Sequence, residues 1–266
     1  MMLDYPQSRS VADVARNAVA ALRRVPLRRT DVAVSTGANL AVSVLPFLVA
    51  RGVPVHYIES ATRVTGPSAS GRIIAALPRV NLYAQYESWA TGRWGFGGTV
   101  FDGYAAEAGE PRAVKKVVVT LGSSEGYGFR RVLERLVQVL PPEVEVLWQT
   151  GVTDVSGLPI DARASMPARE LADAVREADV VVAHAGTGSS LGALQNGKLP
   201  VLVPRRAAFG EHVDDHQQQI ADMLSGRGLA LVREADQVSL ADLEQAAGAS
   251  VHEQASPPPF RLKGTS

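Results

Sequence analysis

No cysteine occurs among the 266 residues of this chain, which excludes disulfides, thiol nucleophiles and cysteine-bound metal. Neither charge is in excess. The 27 lysines and arginines equal the 27 aspartates and glutamates, so the formal net charge is zero with histidine neutral. Proteins that grip a phosphate backbone ordinarily carry a basic surplus, so no nucleic-acid partner is expected. Long apolar runs are missing as well. The longest, Leu40 to Ala50, falls short of the roughly 20 residues that span a bilayer and reads instead as a buried helix. Met1 to Ser10 is polar and lacks the apolar centre of a secretion signal. Together these absences predict a cytoplasmic protein.

Hydrophobic residues make up 46% of the chain, enough for real cores, and the length suits two modest domains or one large one. Val11, Val14, Ala15, Ala18, Val19 and Leu22 have helical spacing. Arg23, Arg24, Arg28 and Arg29 follow. They read as a solvated helix end or as a peripheral contact with anionic lipid at the inner face of the membrane. Short apolar runs then alternate with helical segments. Asp31–Ser35, Val53–Ile58 and Val80–Gln85 read as strands, with a turn at Thr36-Gly37-Ala38-Asn39, a helix after it to Ala50 and another helix before Val80. Tyr86 to Tyr104, rich in glycine and tryptophan, reads as an ordered loop, and Ala105 to Arg112 as a linker. Lys115–Leu121 and Val144–Gln149 are strands around a helix from Phe129 to Leu140. This alternation predicts an α/β protein of two Rossmann-type parallel-sheet domains facing a cleft. The expected boundaries are 1–104, a linker 105–114, a second domain 115–250 and an extended tail 251–266.

The most informative stretch runs from Val180 to Gln217. An apolar strand ends at His184, a turn of Gly186-Thr187-Gly188-Ser189-Ser190 follows, and a helix then runs to a stop at Gly197. A second strand, Leu199–Val203, completes a βαβ unit. Such a turn offers free backbone N–H groups and the positive end of a helix dipole to an anion, and a diphosphate suits it. The cluster Glu211-His212-Val213-Asp214-Asp215-His216-Gln217 emerges at the same carboxyl edge, where ligands of open α/β sheets bind. The turn alone is equally compatible with plain helix packing, and it lacks the GxGxxG of a dinucleotide site.

The whole run, HAGTGS through NGKLPVLVP to HVDDHQ, resembles the donor-binding half of family 28 glycosyltransferases, which have the two-domain GT-B fold. The similarity extends to the bacterial transferases that form lipid II and to the catalytic subunit of the eukaryotic GlcNAc transferases acting on dolichol-linked sugars. Tyr57-Ile58-Glu59-Ser60, with Arg63 and Ser68 to Gly71, looks like the membrane-associated acceptor subunit of that same eukaryotic pair. The chain therefore looks like a fusion of the two, acceptor half first. Against the family's pattern the first domain is truncated, lacking a strand and a glycine-rich loop. Gly192 also stands where the family commonly has a ribose-binding glutamate.

The resemblance implies an inverting transfer of a hexosyl group from a UDP-sugar to a lipid-linked or soluble sugar acceptor. It implies no cofactor and no protein-bound metal, and a homo-oligomer is compatible with it. Gly186, Thr187, Gly188, Ser189 and Ser190 are expected at the diphosphate, with Gly122, Ser123 and Ser124 on its other side. Asp215, His216 and Gln217 suit the donor sugar, and Asp215 is a candidate catalytic acid. Arg205 or Arg206 could offset diphosphate charge. His184 reads as a donor-side residue packed at a strand end. His212, Asp214 and His216 could be read as metal ligands, but no water-activating glutamate is placed with them, so they are assigned to the donor. On the acceptor side stand Gly37, Asn39, Ser60 and Arg63. There Glu59 is either a general base or a capping and ion-pairing group. Trp89, Arg93, Trp94 and Phe96 could wall a sugar or lipid site. Two rivals remain: a degenerate module that binds nucleotide-sugar or a partner without transfer, and an NDP-sugar epimerase.

Overall fold

The computed structural model describes residues 30–122, 126–213 and 215–263, with only the backbone described at Ala38 and Asn39. The chain divides into two compact units, Met1–Val100 with Pro258–Ser266, and Phe101–Pro257. Among the described residues no helix is long and apolar enough to cross a membrane. The segment Val11–Leu22 and its arginines lie outside the described residues.

The first unit holds four parallel strands in chain order: β1 (Ala33–Ser35), β2 (Val55–Ile58), β3 (Val80–Ala84) and β4 (Trp94–Phe96). Helix α1 (Ala38–Ala50) links β1 to β2, and α2 (Ala69–Ala75) precedes β3. Ala41, Leu45 and Leu48 of α1 recur at helical spacing and pack on Val55, Tyr57 and Leu82. Each fully buried leucine is worth about 1.5–3 kcal/mol. Ser68 caps α2 by accepting from Gly71 N at 3.0 Å. Strand β4 corrects the reading of this stretch as loop. Trp94 is held by edge contacts to Tyr57 at 6.0 Å and Trp89 at 5.2 Å, so tertiary packing supplies what local periodicity did not show.

The second unit is built on a six-stranded parallel sheet. Its strands are β6 (Lys116–Thr120), β7 (Glu145–Gln149), β8 (Ala162–Arg163), β9 (Val180–His184), β10 (Val201–Val203) and β11 (Leu231–Val232). Their spatial order is β11-β10-β9-β6-β7-β8. Helices α3 (Arg130–Val139), α4 (Ala168–Glu177), α5 (Thr187–Gln195), α6 (His216–Gly226) and α7 (Leu240–Gly248) accompany it. Val117, Val119, Val180 and Val182 are buried together, as continuous apolar strands of a covered parallel sheet should be. The chain enters at β6, works outward through β7 and β8, and returns to β9 on the other side of β6. The β6–β9 boundary is therefore the topological switch point, and the loops leaving both strands open side by side.

Two expectations about connections change. The start of the presumed linker is strand β5 (Tyr104–Glu107), which pairs antiparallel with β12 (Ser250–Glu253), the start of the presumed tail. The end of that tail is also placed. Arg261 N donates to Gly97 O at 2.7 Å, and the Phe260 ring lies where a Cβ on Gly97 would come within 2.5 Å of it.

Candidate functional site

The site grows from the switch point. Thr120 of β6 and Ala183 of β9 are register partners, so Gly122 and the turn after His184 leave the sheet together. The His184 ring lies between two glycines. A Cβ on Gly122 would stand 2.8 Å from its Cε1, and one on Gly186 would stand 2.4 Å from its Nε2. Gly122 also has φ of +75°, which favours glycine on backbone grounds alone. His184 Nδ1 is 3.5 Å from the Thr120 carbonyl oxygen and 3.3 Å from Ser189 Oγ. Burial first, and the nearby Arg205 guanidinium second, push the imidazole down to about 4, so it is neutral at neutral pH.

Helix α5 begins at Gly186 with no side-chain cap. The first-turn N–H groups of Thr187, Gly188 and Ser189 have no intrahelical carbonyl to meet. Thr187 Oγ1 is buried without a partner, and Gly188 is exposed with no atom within 4 Å of a built Cβ. Ser190 behaves otherwise than expected. It is fully buried and its hydroxyl donates back to Gly186 O at 3.0 Å, so it belongs to the helix and not to a ligand. Beside this helix start is a cavity of about 390 Å³, bounded by Gly188 and Gly192 on α5, Leu171 and Val175 on α4, and Met166 ahead of α4. No charged side chain lines it among the described residues.

The loop after β10 brings the third group. Asp215 is exposed at the start of α6, and its Oδ1 accepts from Ala207 N at 3.0 Å. His216 opens α6. Gln217 is buried, and its Oε1 accepts from Arg205 N at 3.1 Å. The His212 ring packs on Tyr127 at 5.9 Å. The role expected of Arg205 is corrected. Its side chain is 2% exposed and its guanidinium donates to main-chain carbonyls, so it does not reach a phosphate directly. Arg206 is held by Glu234. Ser123, Ser124 and Asp214 lie outside the described residues. Among the described residues no group of three acidic or histidine side chains could hold a metal ion.

An ion pair that no local pattern announces supports this loop. Arg131 Nε donates to Glu211 Oε1 at 2.7 Å and Nη2 to Oε2 at 2.9 Å, while Arg206 N also donates to Oε2 at 3.0 Å. The same arginine covers the Phe209 ring at 3.9 Å, leaving that phenylalanine 60% exposed. Arg131 and Glu211 stand 80 residues apart, beyond any local spacing signal.

In the first unit, Gly37 and Ser60 come together at the carboxyl ends of β1 and β2, where a Cβ on Gly37 would be 3.9 Å from Ser60 N. Arg63 N donates to Ser60 O at 2.9 Å, and its carbonyl accepts from Trp89 Nε1 at 2.9 Å. The side chain of Asn39 lies outside the described set. Glu59 corrects the general-base reading. It is 1% exposed, Oε1 accepts from Ser60 N at 2.9 Å, and Oε2 accepts from Ser68 N at 2.9 Å and Ser68 Oγ at 3.0 Å. Tyr57, pushed up to about 12 by burial and then by this carboxylate, stays protonated and donates to Oε1 at 3.5 Å. Both oxygens serve the turn into α2, which is the capping alternative.

The sequence profile of the glycosyltransferase family 28 C-terminal domain matches residues 116–257. No curated protein matches the chain in sequence. In structure it is similar to MurG of Acinetobacter baumannii, with a TM-score of 0.55 and 18% identity over 92% of this chain and 73% of that one. It is similar to the kitacinnamycin glycosyltransferase, with a TM-score of 0.52 and 18% identity over 93% and 76%. A third likeness is SnogD, a glycosyltransferase from Streptomyces nogalater, with a TM-score of 0.53 and 17% identity over 88% and 70%. These likenesses establish the GT-B type of α/β fold. The matched domain spans more than half of the chain and contains β6, β9, the uncapped start of α5 and the Asp215–Gln217 cluster, so the protein belongs to glycosyltransferase family 28.

Proposed function

We propose that the protein moves a hexosyl group from a UDP-sugar to a hydroxyl of a lipid-linked or soluble sugar acceptor, with inversion. The observation that carries this reading is the uncapped amino end of α5 opening beside the 390 Å³ cavity. Thr187, Gly188 and Ser189 would hold the diphosphate by main-chain N–H groups, and the uncharged cavity would take the nucleoside. Asp215 and Gln217 would meet the sugar. In the step itself the acceptor oxygen bonds to the anomeric carbon as the bond from that carbon to the β-phosphate oxygen breaks. The electron pair leaves with UDP, and the hydroxyl proton passes to a base. The dipole and N–H groups stabilise the leaving charge. On this reading the acceptor and donor halves of a two-subunit transferase are joined in one chain.

One observation favours a second reading, a module that binds the nucleotide-sugar without transfer: Glu59, the acid expected to act as base, is buried and engaged.

The test is calorimetric titration with UDP-GlcNAc, UDP-glucose, UDP-glucuronate, UDP and GDP, in the parent and in Thr187→Pro, followed by a transfer assay with sugar-lipid acceptors. Proline is favoured at the first helical position, and Gly186 before it already has ψ of 141°, so the variant should fold. It lacks one N–H and the unpartnered hydroxyl. A charge-assisted bond of about 1.5–3 kcal/mol predicts roughly a 10- to 100-fold loss of uridine-nucleotide affinity. Binding without transfer would select the second reading. No binding of any nucleotide to a folded parent would sink both.

A further inference from the structure

We propose that Arg205 is the positioning residue of the donor site, one buried guanidinium that holds the segments leaving β6 and β10 in a single register. The proposal rests on the donor-site reading above for its consequence and on geometry for its substance. Arg205 Nη2 donates to Leu121 O at 2.8 Å, just past β6. Nη1 donates to Tyr127 O at 2.8 Å, further along the same connection, and to Glu211 O at 3.4 Å on the loop after β10. The main-chain N of Arg205 fixes the Gln217 amide at the start of α6. Four points on two separate connections therefore converge on one residue.

Stability alone does not account for a cation here. Among the described residues none of the acceptors bonded to the guanidinium is a carboxylate, because the Glu211 carboxylate is turned to Arg131 and to Arg206 N. A buried charge without a bonded counter-ion is costly, and an apolar side chain would fill the space more cheaply. What only arginine supplies is a rigid planar fork that reaches several carbonyls at once. The same positive charge adds to burial, the larger cause, in keeping the His184 ring neutral. The Gln217 tie has a further effect. Its oxygen accepts from Arg205 N, which fixes the orientation of the amide and leaves its N–H₂ donors for a bound sugar.

The experiment compares the full-length parent with Arg205→Lys, which keeps the charge, and Arg205→Met, which keeps the length. Amide hydrogen exchange is read over 205–217, over 126–129 and over β9. UDP and UDP-sugar affinities are read by calorimetry, and His184 is titrated by NMR. Both variants should exchange at least about tenfold faster in the two loop segments with β9 unchanged. UDP-sugar affinity should fall about tenfold or more, and UDP affinity by less than about threefold. The His184 titration should move upward in Arg205→Met and stay low in Arg205→Lys. Unchanged exchange in the loops would overturn the proposal, as would loss of protection in β9 together with them, which marks a plain core residue. If the parent binds no uridine nucleotide, the donor-site reading fails while the exchange comparison still decides the role of Arg205.

Discussion

Replacing Gly186 by alanine probes the contact on which the candidate site is built. The backbone there has φ of −91° and ψ of 141°, which alanine adopts without strain, so the cost is steric. The new Cβ would lie 2.4 Å from His184 Nε2 and 3.0 Å from Cδ2. Ordinary contact needs about 3.5 Å or more, so the ring must retreat by roughly 1 Å. Its other face is against Gly122, where even a built Cβ would be 2.8 Å from Cε1, so there is little room to retreat. Overpacking of this kind costs about 1–3 kcal/mol, and exchanging glycine for alanine at a helix N-cap adds to it. A total of about 3 kcal/mol lowers the unfolding midpoint of a unit the size of Phe101–Pro257 by ~6–12 °C. Differential scanning calorimetry on Gly186→Ala, His184→Ala and the double variant separates the causes. The capping cost is common to both arms that carry alanine at position 186 and cancels, which leaves a coupling of about 1–3 kcal/mol from ring and methyl. Strictly additive losses, or a Gly186→Ala midpoint within about 1 °C of the parent, would refute the reasoning.

Two further predictions concern single groups. His184 is neutral in the folded protein because its value lies at about 4 against an ordinary 6.5, so the unfolded chain binds the extra proton. Its contribution is fully present above about pH 6.5 and fades as pH falls to about 4, by an order of 3 kcal/mol. Stability against pH should therefore lose slope in that window in His184→Asn, and an identical slope would reject the assignment. Glu59→Gln places an amide N–H₂ among the donors Ser60 N, Ser68 N and Ser68 Oγ. It should destabilise the first unit by about 2–4 kcal/mol and leave uridine-nucleotide affinity unchanged. A fall in turnover with no change in unfolding midpoint would restore the general-base role.

What the sequence disclosed depended on the range of the forces involved. The βαβ unit around His184 was legible because apolar strands, a glycine turn and a glycine stop are local signals, and α5 and β10 lie where those signals put them. Gly122 and Gly186 were recognisable as special, since close approach and positive φ leave glycine little substitute. The β5–β12 pair was hidden because Ala105 and Ala106 carry no strand pattern and their partners, His252 and Val251, lie far away in the sequence. The misplaced roles share one cause. Glu59, Ser190 and Arg205 have the right chemistry for base, phosphate donor and counter-charge, but a sequence does not show whether their polar atoms are already committed. In the fold, Glu59 is committed to Ser68, Ser190 to Gly186, and Arg205 to Leu121 and Tyr127. Committed groups shape a site, while groups left open bind in it. By that criterion the groups left open at the start of α5 are its first-turn N–H groups and the unpartnered Thr187 hydroxyl. These belong to the main chain and to a residue of the first helical turn, where a ligand can use them at little cost to the fold.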